Sequence, residues 1–380
     1  MALLKYTGVG RALKETVILL AFRDGKNVWD AVGIFCPAAS FCTSEEQESR
    51  FPGSDREEEI HRMKIVFLEA GTLGDDMQFD RFFGLGDVDV YGHTESEQIQ
   101  ERIASADAVL VNKLPMNEKT LKDAGFLKYI GVTATGTNNV DFEYTRKRGI
   151  TVTNVAGYST STVAQHTFAM ALYLMEHLRY YDDYVKSGEY IKSKSFCHLD
   201  RKFSELEGKT WGIIGLGAIG RRVASIAEAF GCRVIYYSTS GRNQNDSYAR
   251  VDFDTLLTQS DIVSVHAPLT EKTYHMMDYE AFCRMKPTAI FINVGRGPIV
   301  DEKGLAKALK KERISAAGLD VLEKEPMDRD CPLAKLNEDD RLLITPHIAW
   351  AGVEARTRLL DEVWLNLDAY IKGEARNVCL

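Results

Sequence analysis

The stretch GIIGLGAIGRR, Gly212 to Arg222, constrains this chain more than any other. It joins a short apolar run, read as a buried strand, to the helix-like RRVASIAEAF, and carries Gly215, Gly217 and Gly220 in a G-x-G-x-x-G pattern at the junction. In such a strand-turn-helix the first glycine permits the tight turn, the second lets a pyrophosphate approach the backbone, and the third lets helix and strand pack closely. The positive end of the helix then favours the phosphates. A second apolar run, CRVIYYS, follows the helix, completing the strand, turn, helix, strand order in which this pattern binds a dinucleotide.

The rest of the chain alternates in the same way. From Met63 the strand-like runs KIVFLE, DAVLVNK, LKYIGVTAT and ITVTNV are interleaved with the helical patterns ESEQIQERIASA, KTLKDAG and DFEYTRKRG. That alternation predicts a parallel sheet covered by helices. STSTVAQHTFAMALYLMEHLRYYDDYVKSG reads as one long helix with Ser and Thr caps, closing on Gly188 and linking two domains. A second series, WGIIGLG, CRVIYYS, DIVSVHAP, TAIFINVG, ISAAGLDV and LLITPH, has the composition of buried parallel strands. The final helical segment, GVEARTRLLDEVWLNLDAYIKG, is expected to return to the first series. The expectation is an α/β fold with two parallel-sheet domains and a cleft between them, one built from residues 63–154 and 345–380, the other inserted as residues 155–344.

With 380 residues, 45% apolar and 27% charged, the chain has the composition of a soluble globular protein. A net charge of −8 argues against nucleic acid as a partner, since phosphate binding relies on clustered Lys and Arg. No apolar run approaches the roughly 20 residues that span a bilayer, so no membrane partner is expected. The seven cysteines, at 36, 42, 197, 232, 283, 331 and 379, are scattered and contain no C-x-x-C. They suggest neither a disulfide framework nor a metal site, and they suit a reducing cytoplasm. In MALLKYTGVGRALKETVILLAF, Lys14 and Glu15 interrupt the apolar stretch and no cleavage site follows, so no export signal is read. Residues 1–62, with the charged TSEEQESRFPGSDREEEIHR, read as a loosely ordered extension, and the functional chain starts either there or at Met63.

Ligands of open α/β sheets bind beyond the carboxyl ends of the strands. INVGRGPIVDE places Arg296 there, between two glycines, and a guanidinium suits a bidentate grip on a carboxylate. GLDVLEKEP and LLITPHIAW each place an ionisable residue just past a strand, Glu325 before Pro326 and His347 after Pro346. A histidine shuttles protons near neutral pH, and a carboxylate partner fixes its tautomer. Arg296, Glu325 and His347 together are the parts needed to bind a 2-oxo acid and protonate its carbonyl as hydride arrives. His166, His198 and His275 are expected to be structural or solvent-facing, and Met276 and Met277 to pack. H-E-x-x-H, the Walker lysine motif and G-x-S-x-G are absent, which removes zinc protease, P-loop and that hydrolase chemistry.

The segments LEGKTWGIIGLGAIG, HAPLTEKTYHM, FINVGRGPIVDE, AGLDVLEKEP and ITPHIAW, in this order, resemble the D-isomer specific 2-hydroxyacid dehydrogenases over roughly residues 63–380. HIAWAGVEARTRL looks most like the glycerate dehydrogenase, or hydroxypyruvate reductase, branch. The resemblance implies two Rossmann-like domains, a flavodoxin-like substrate domain (63–154 and 345–380) and a dinucleotide-binding domain (155–344). It implies that Arg296 binds the substrate carboxylate and carbonyl, that His347 is the acid/base and that Glu325 is its partner. Cofactor contacts carry over to Ala218 and Ile219, to Ala267, Pro268 and Thr273, to Val294 and Gly295, and to Asp320. VTATGTNN resembles the substrate-domain loop, which brings in Thr133 and Ala134, with Lys113 in the preceding loop. Trp350 then either shapes a small pocket or packs between domains. A homodimer paired through the long helix is also implied, as is a small 2-oxo/D-2-hydroxy acid pair, hydroxypyruvate/D-glycerate or glyoxylate/glycolate. Alternatives are a bulkier 2-hydroxy acid, or an NAD(H)-sensing corepressor-like binding protein on the same fold.

One departure bears on the cofactor. In YYSTSGRN, Ser238 stands where an acid would hold the ribose hydroxyls of NAD and repel a 2′-phosphate. Hydroxyls and Arg242 could accept that phosphate, which leans the reading toward NADP(H) or dual use. The alternative is that Ser238 bonds the ribose and Arg242 is solvated, leaving NAD(H) usable.

Overall fold

Most strands form where short apolar runs fall between the helical patterns, and they assemble into two separate parallel sheets. A computed structural model of the chain describes residues 62–242, 244–336 and 339–379. The extension expected over residues 1–62 lies outside the described residues except for Arg62. The first sheet is built from β1 (Lys64–Phe67), β2 (Asp87–Val90), β3 (Ala108–Val111), β4 (Tyr129–Val132) and β5 (Thr151–Thr153), in the order β2-β1-β3-β4-β5. Every pair is parallel. Helices α1 (Ile99–Ile103), α2 (Glu118–Leu121) and α3 (Phe142–Lys147) make the crossovers. The last two begin at side-chain caps, where Asn117 and Asp141 accept from the N–H groups of Thr120 and Tyr144.

The segment expected as one long helix is two. Helix α4 (Thr160–Met175) ends before His177, whose φ of 53° breaks the hydrogen-bond ladder, and α5 (Leu178–Lys186) follows, then α6 (Glu189–Lys192) after Gly188 at φ 82°. The break falls where burial stops. Val163, Ala164, Phe168, Met170, Ala171 and Leu174 of α4 are buried, whereas α5 buries no residue and its Arg179 forms an ion pair with Asp340 at 3.7 Å.

The second sheet comprises β6 (Thr210–Ile214), β7 (Arg233–Tyr237), β8 (Ala249–Arg250), β9 (Ile262–Val265), β10 (Ile290–Asn293), β11 (Ala316–Leu319) and β12 (Leu342–Ile344). Their order is β12-β11-β10-β9-β6-β7-β8, again all parallel. Helix α7 (Ala218–Ala229) covers one face with α4, and α8 (Phe253–Gln259), α9 (Tyr279–Arg284) and α10 (Glu302–Lys310) cover the other. Burial on both faces explains the continuous apolar runs of β6, β9 and β10. The last helix, α11 (Val353–Ile371), returns to the first sheet, where Leu359, Val363 and Leu367 pack with Phe67, Leu110 and Tyr129. None of the described helices is long and apolar enough to cross a membrane.

Strand order reverses direction between β1 and β3 in the first sheet and between β6 and β9 in the second. Such switch points open crevices at the carboxyl ends of the strands, and the loops that carry the candidate residues emerge there.

Candidate active site

At the β6–β9 switch point the glycine turn is set by contacts that admit no side chain. Gly215 has φ 94°, and a Cβ on it would lie 2.8 Å from the backbone N of Ala267 at the end of β9. A Cβ on Gly220 would lie 2.3 Å from the carbonyl oxygen of Gly215, so helix α7 packs directly on the turn. Gly217 differs: a Cβ there would meet nothing. That open space lies at the N-terminus of α7, beside Ala218 and Ile219, where a pyrophosphate approaches the backbone in a dinucleotide fold. Beyond β7, Ser238 is 4% exposed and its hydroxyl has no partner among the described residues, an orphaned buried group that a ribose or phosphate oxygen would satisfy. These residues fit a dinucleotide. Arg242 is exposed on the turn that follows, and Arg250 on β8 reaches toward Gly241 in the same turn.

The loops after β10, β11 and β12 converge with loops of the first sheet on a cavity of about 410 Å³, lined by Arg296, Glu325, His347 and Lys113 among others. A smaller adjoining cavity of about 150 Å³ shares Arg296, His347 and Lys113 and adds Thr133, Ala134 and Trp350. Ile219, Val294 and Asp320 line it from the second sheet's side. Arg296 follows β10, and its Nη1 donates to Gly295 O at 2.8 Å. Its other end reaches the first sheet's loop, where a Cβ on Gly136 would lie 2.5 Å from Nη2. Gly297 is forced by the backbone of Leu322, 1.8 Å from where its Cβ would stand. Gly136 thus leaves room for the guanidinium on the first sheet's side, and Gly297 lets the Arg296 loop pass against the backbone of Leu322.

His347 and Glu325 form a direct pair, with Nδ1 2.7 Å from Oε2. An ionised carboxylate only accepts, so Nδ1 carries the hydrogen and Nε2 is left to take or give a proton. The other carboxylate oxygen, Oε1, accepts from Leu322 N at 3.0 Å. Burial pushes the Glu325 carboxyl up, but hydrogen bonds from His347 and Leu322, with the charges of His347 and Lys113, outweigh it and hold the group below its ordinary value. His347 itself has φ 56°, a left-handed conformation costing a non-glycine residue about 1–2 kcal/mol. Asp320, 1% exposed, offsets that strain: its carbonyl accepts from His347 N at 2.8 Å, and its carboxylate accepts from Ile348 N at 2.8 Å and Ala349 N at 2.9 Å.

The remaining walls include groups that sequence reasoning passed over. Glu69 Oε2 accepts from the backbone N–H groups of Asn112, Lys113 and Leu114 at 2.9, 2.8 and 3.0 Å and so fixes the loop that presents Lys113. Desolvation by the cleft and then the charge of Arg296 depress the Lys113 amine, against the pull of Glu325 and Glu69. Tyr158 also lines the smaller cavity, its hydroxyl pushed up to about 12 chiefly by burial. Trp350 meets it edge-on at 6.4 Å between ring centroids and adjoins the apolar cores of both sheets, so it lines the pocket and packs between lobes at once. No local signal marks Glu69 or Tyr158. Thr273, expected among the cofactor contacts, is buried and spends its hydroxyl inside its own turn, donating to Pro268 O at 2.8 Å and accepting from Thr270 N at 2.7 Å. Ala267 is buried beside it and Pro268 is exposed. His198 stacks on Tyr184, and His275 bonds Glu323, which lines the larger cavity with Glu325 and His347. Among the described residues no group of His, Cys, Asp and Glu could hold a metal ion.

Comparison with known proteins bears on this geometry. Residues 168–349 match the model described as D-isomer specific 2-hydroxyacid dehydrogenase, NAD binding domain. A glycerate dehydrogenase from Methylorubrum extorquens is 38% identical over 323 residues, 83% of this chain and 98% of that protein. The chain belongs to the D-isomer specific 2-hydroxyacid dehydrogenase family. A hydroxypyruvate reductase from Blautia hydrogenotrophica is 36% identical over 322 residues, 83% of this chain and 99% of that one. Among solved structures, an acyclic imino acid reductase in complex with NADPH and D-Arg superposes with a TM-score of 0.75 at 29% identity, covering 84% of this chain and 100% of that one. As a family member the protein is an oxidoreductase of hydroxy acids that acts on CH–OH donors and uses a nicotinamide dinucleotide.

Proposed function

We propose that this dehydrogenase interconverts a small 2-oxo acid and its D-2-hydroxy acid, with hydroxypyruvate and glyoxylate as the 2-oxo substrates. The His347–Glu325 pair, 2.7 Å apart and facing the same cavity as Arg296, is the observation that carries the reading. The lobe of residues 63–154 and 345–380 presents substrate and the lobe of 155–344 holds the dinucleotide. When bound, the nicotinamide supplies or accepts hydride at C2 of the substrate. Arg296 grips the carboxylate and carbonyl oxygen, the loop of Thr133 and Ala134 holds the carboxylate from the opposite wall, and Trp350 limits the size of the side chain admitted. In reduction His347 gives its Nε2 proton to the carbonyl oxygen, and Glu325 holds the tautomer and steadies the imidazolium. Oxidation runs the same path in reverse.

For the cofactor, the lean to NADP(H) or dual use rests on a serine at 238 where an acid would repel a 2′-phosphate, with the exposed Arg242 on the turn that follows. The five described cysteines are free, which suits a cytoplasmic setting. Initial rates for a panel of 2-oxo acids, with NADH and NADPH in parallel, test both parts of the proposal. Hydroxypyruvate and glyoxylate should outrun bulkier acids, with NADPH used at least as well as NADH. Ser238→Asp should lower the NADPH/NADH ratio of kcat/KM by about tenfold, since an acid there repels the 2′-phosphate. Dinucleotide binding without turnover of any 2-oxo acid would point to the binding-protein alternative instead.

A further inference from the structure

His166, which the sequence marks only as a histidine on a helix, stands at the head of a hydrogen-bond chain that ends at the backbone of Ile348 and Ala349, the two residues after His347. It lies on α4 with its side chain 20% exposed, and its Nε2 is 3.0 Å from Thr345 Oγ1 and 3.5 Å from Asp320 Oδ1. Thr345 Oγ1 lies 2.6 Å from the same Asp320 oxygen. A hydroxyl has one hydrogen, and a carboxylate oxygen at that distance takes it. Thr345 is therefore an acceptor toward His166, and the imidazole must carry its proton on Nε2. Asp320 in turn accepts from Ile348 N and Ala349 N, the two residues following His347.

From this chain we infer that His166 is a positioning residue for proton transfer, acting through Thr345 and Asp320. Donation from His166 fixes the Thr345 hydroxyl on Asp320, and a fixed Asp320 holds residues 347–349 in the left-handed turn that sets the imidazole of His347. Without that donor the Thr345 hydroxyl is free to turn away, and one of the three bonds that aim the Asp320 carboxylate is lost. The polar bonds of His166 run to Thr345 and Asp320, so its removal acts on the loop of His347 rather than on the Arg296 grip. This inference rests on the assignment of His347 as the proton donor.

The test compares His166→Leu, which removes the donor, with His166→Gln, which returns an N–H near the position of Nε2, in the full-length protein with hydroxypyruvate and NADPH or NADH. His166→Leu should lower kcat by about tenfold, the effect expected of a group that orients an acid/base from outside the site, while the KM for hydroxypyruvate stays within about twofold. His166→Gln should recover kcat to within about threefold of the parent. An unchanged kcat in His166→Leu, or equal losses in the Leu and Gln variants, would overturn the inference. His347→Ala, run alongside, separates the two readings: if it retains turnover, the assignment of the proton donor fails, whereas a dead His347→Ala with an unaffected His166→Leu removes only the role of His166.

Discussion

Glu325 is the residue whose ionisation carries most of the proposed site, because its charge fixes the His347 tautomer and its other oxygen holds Leu322 N. Its folded carboxyl lies below the ordinary value of 4.5. A carboxyl depressed on folding contributes stability that is fully present above the unfolded value and is lost as pH falls through the folded one. The urea midpoint of Glu325→Gln should therefore lie below that of the parent at neutral pH and converge with it only below pH 4.5; a constant difference down to pH 3 would show that the carboxylate charge is not the source. Arg296, Glu325 and His347 were legible in the sequence because each follows an apolar strand, and in a parallel sheet that position is the mouth of the crevice. Glu69, Tyr158 and the His166–Asp320 contact were not. Glu69 meets the Lys113 loop, and His166 meets Thr345, only through the fold, the partners standing 44 and 179 positions apart in sequence.

Elements with a strong apolar period were legible, and those governed by edges or by loss of burial were not. DVDV alternates acid with valine and is partly exposed along its length, so β2, the edge of the first sheet, gives no run to detect. The two-residue β8 is likewise an exposed edge. The continuous pattern across α4 and α5 concealed the break at His177, which is set by the end of packing rather than by a Pro or Gly. The return of the C-terminal segment to the first sheet was expected and is seen in α11, whose Leu359 is fully buried against that sheet. Leu359→Ala should cost about 2–5 kcal/mol in chemical denaturation, the range for emptying such a site. A loss under about 0.5 kcal/mol, the scale of an ordinary surface change, would mean that α11 does not close the first sheet.

At the scale of the whole molecule, the cleft is assembled from loops at the carboxyl ends of both sheets, so neither sheet alone has the site: Arg296, Glu325 and His347 come from one side and Lys113, Thr133 and Ala134 from the other. The segment after α5 leaves Ile191, Phe196 and Leu199 89%, 90% and 73% exposed, three large apolar side chains within nine residues that a partner chain would cover. They support the proposed homodimer; light scattering should give twice the chain mass, and Phe196→Glu should shift the protein toward monomer, whereas a monomeric parent would exclude the dimer. The two-sheet architecture and a cleft between the sheets were legible from the alternation of runs, but which side chains meet across it required the fold, since Ala134 on one wall and Arg296 on the other are separated by more than 150 residues of chain. That His347 passes the proton while the dinucleotide binds independently is tested most directly by kcat for hydroxypyruvate reduction by His347→Ala together with its dinucleotide Kd. The expected kcat is lower by about 10²–10⁴-fold with Kd within about twofold of the parent; turnover within about threefold of the parent would contradict that role of His347.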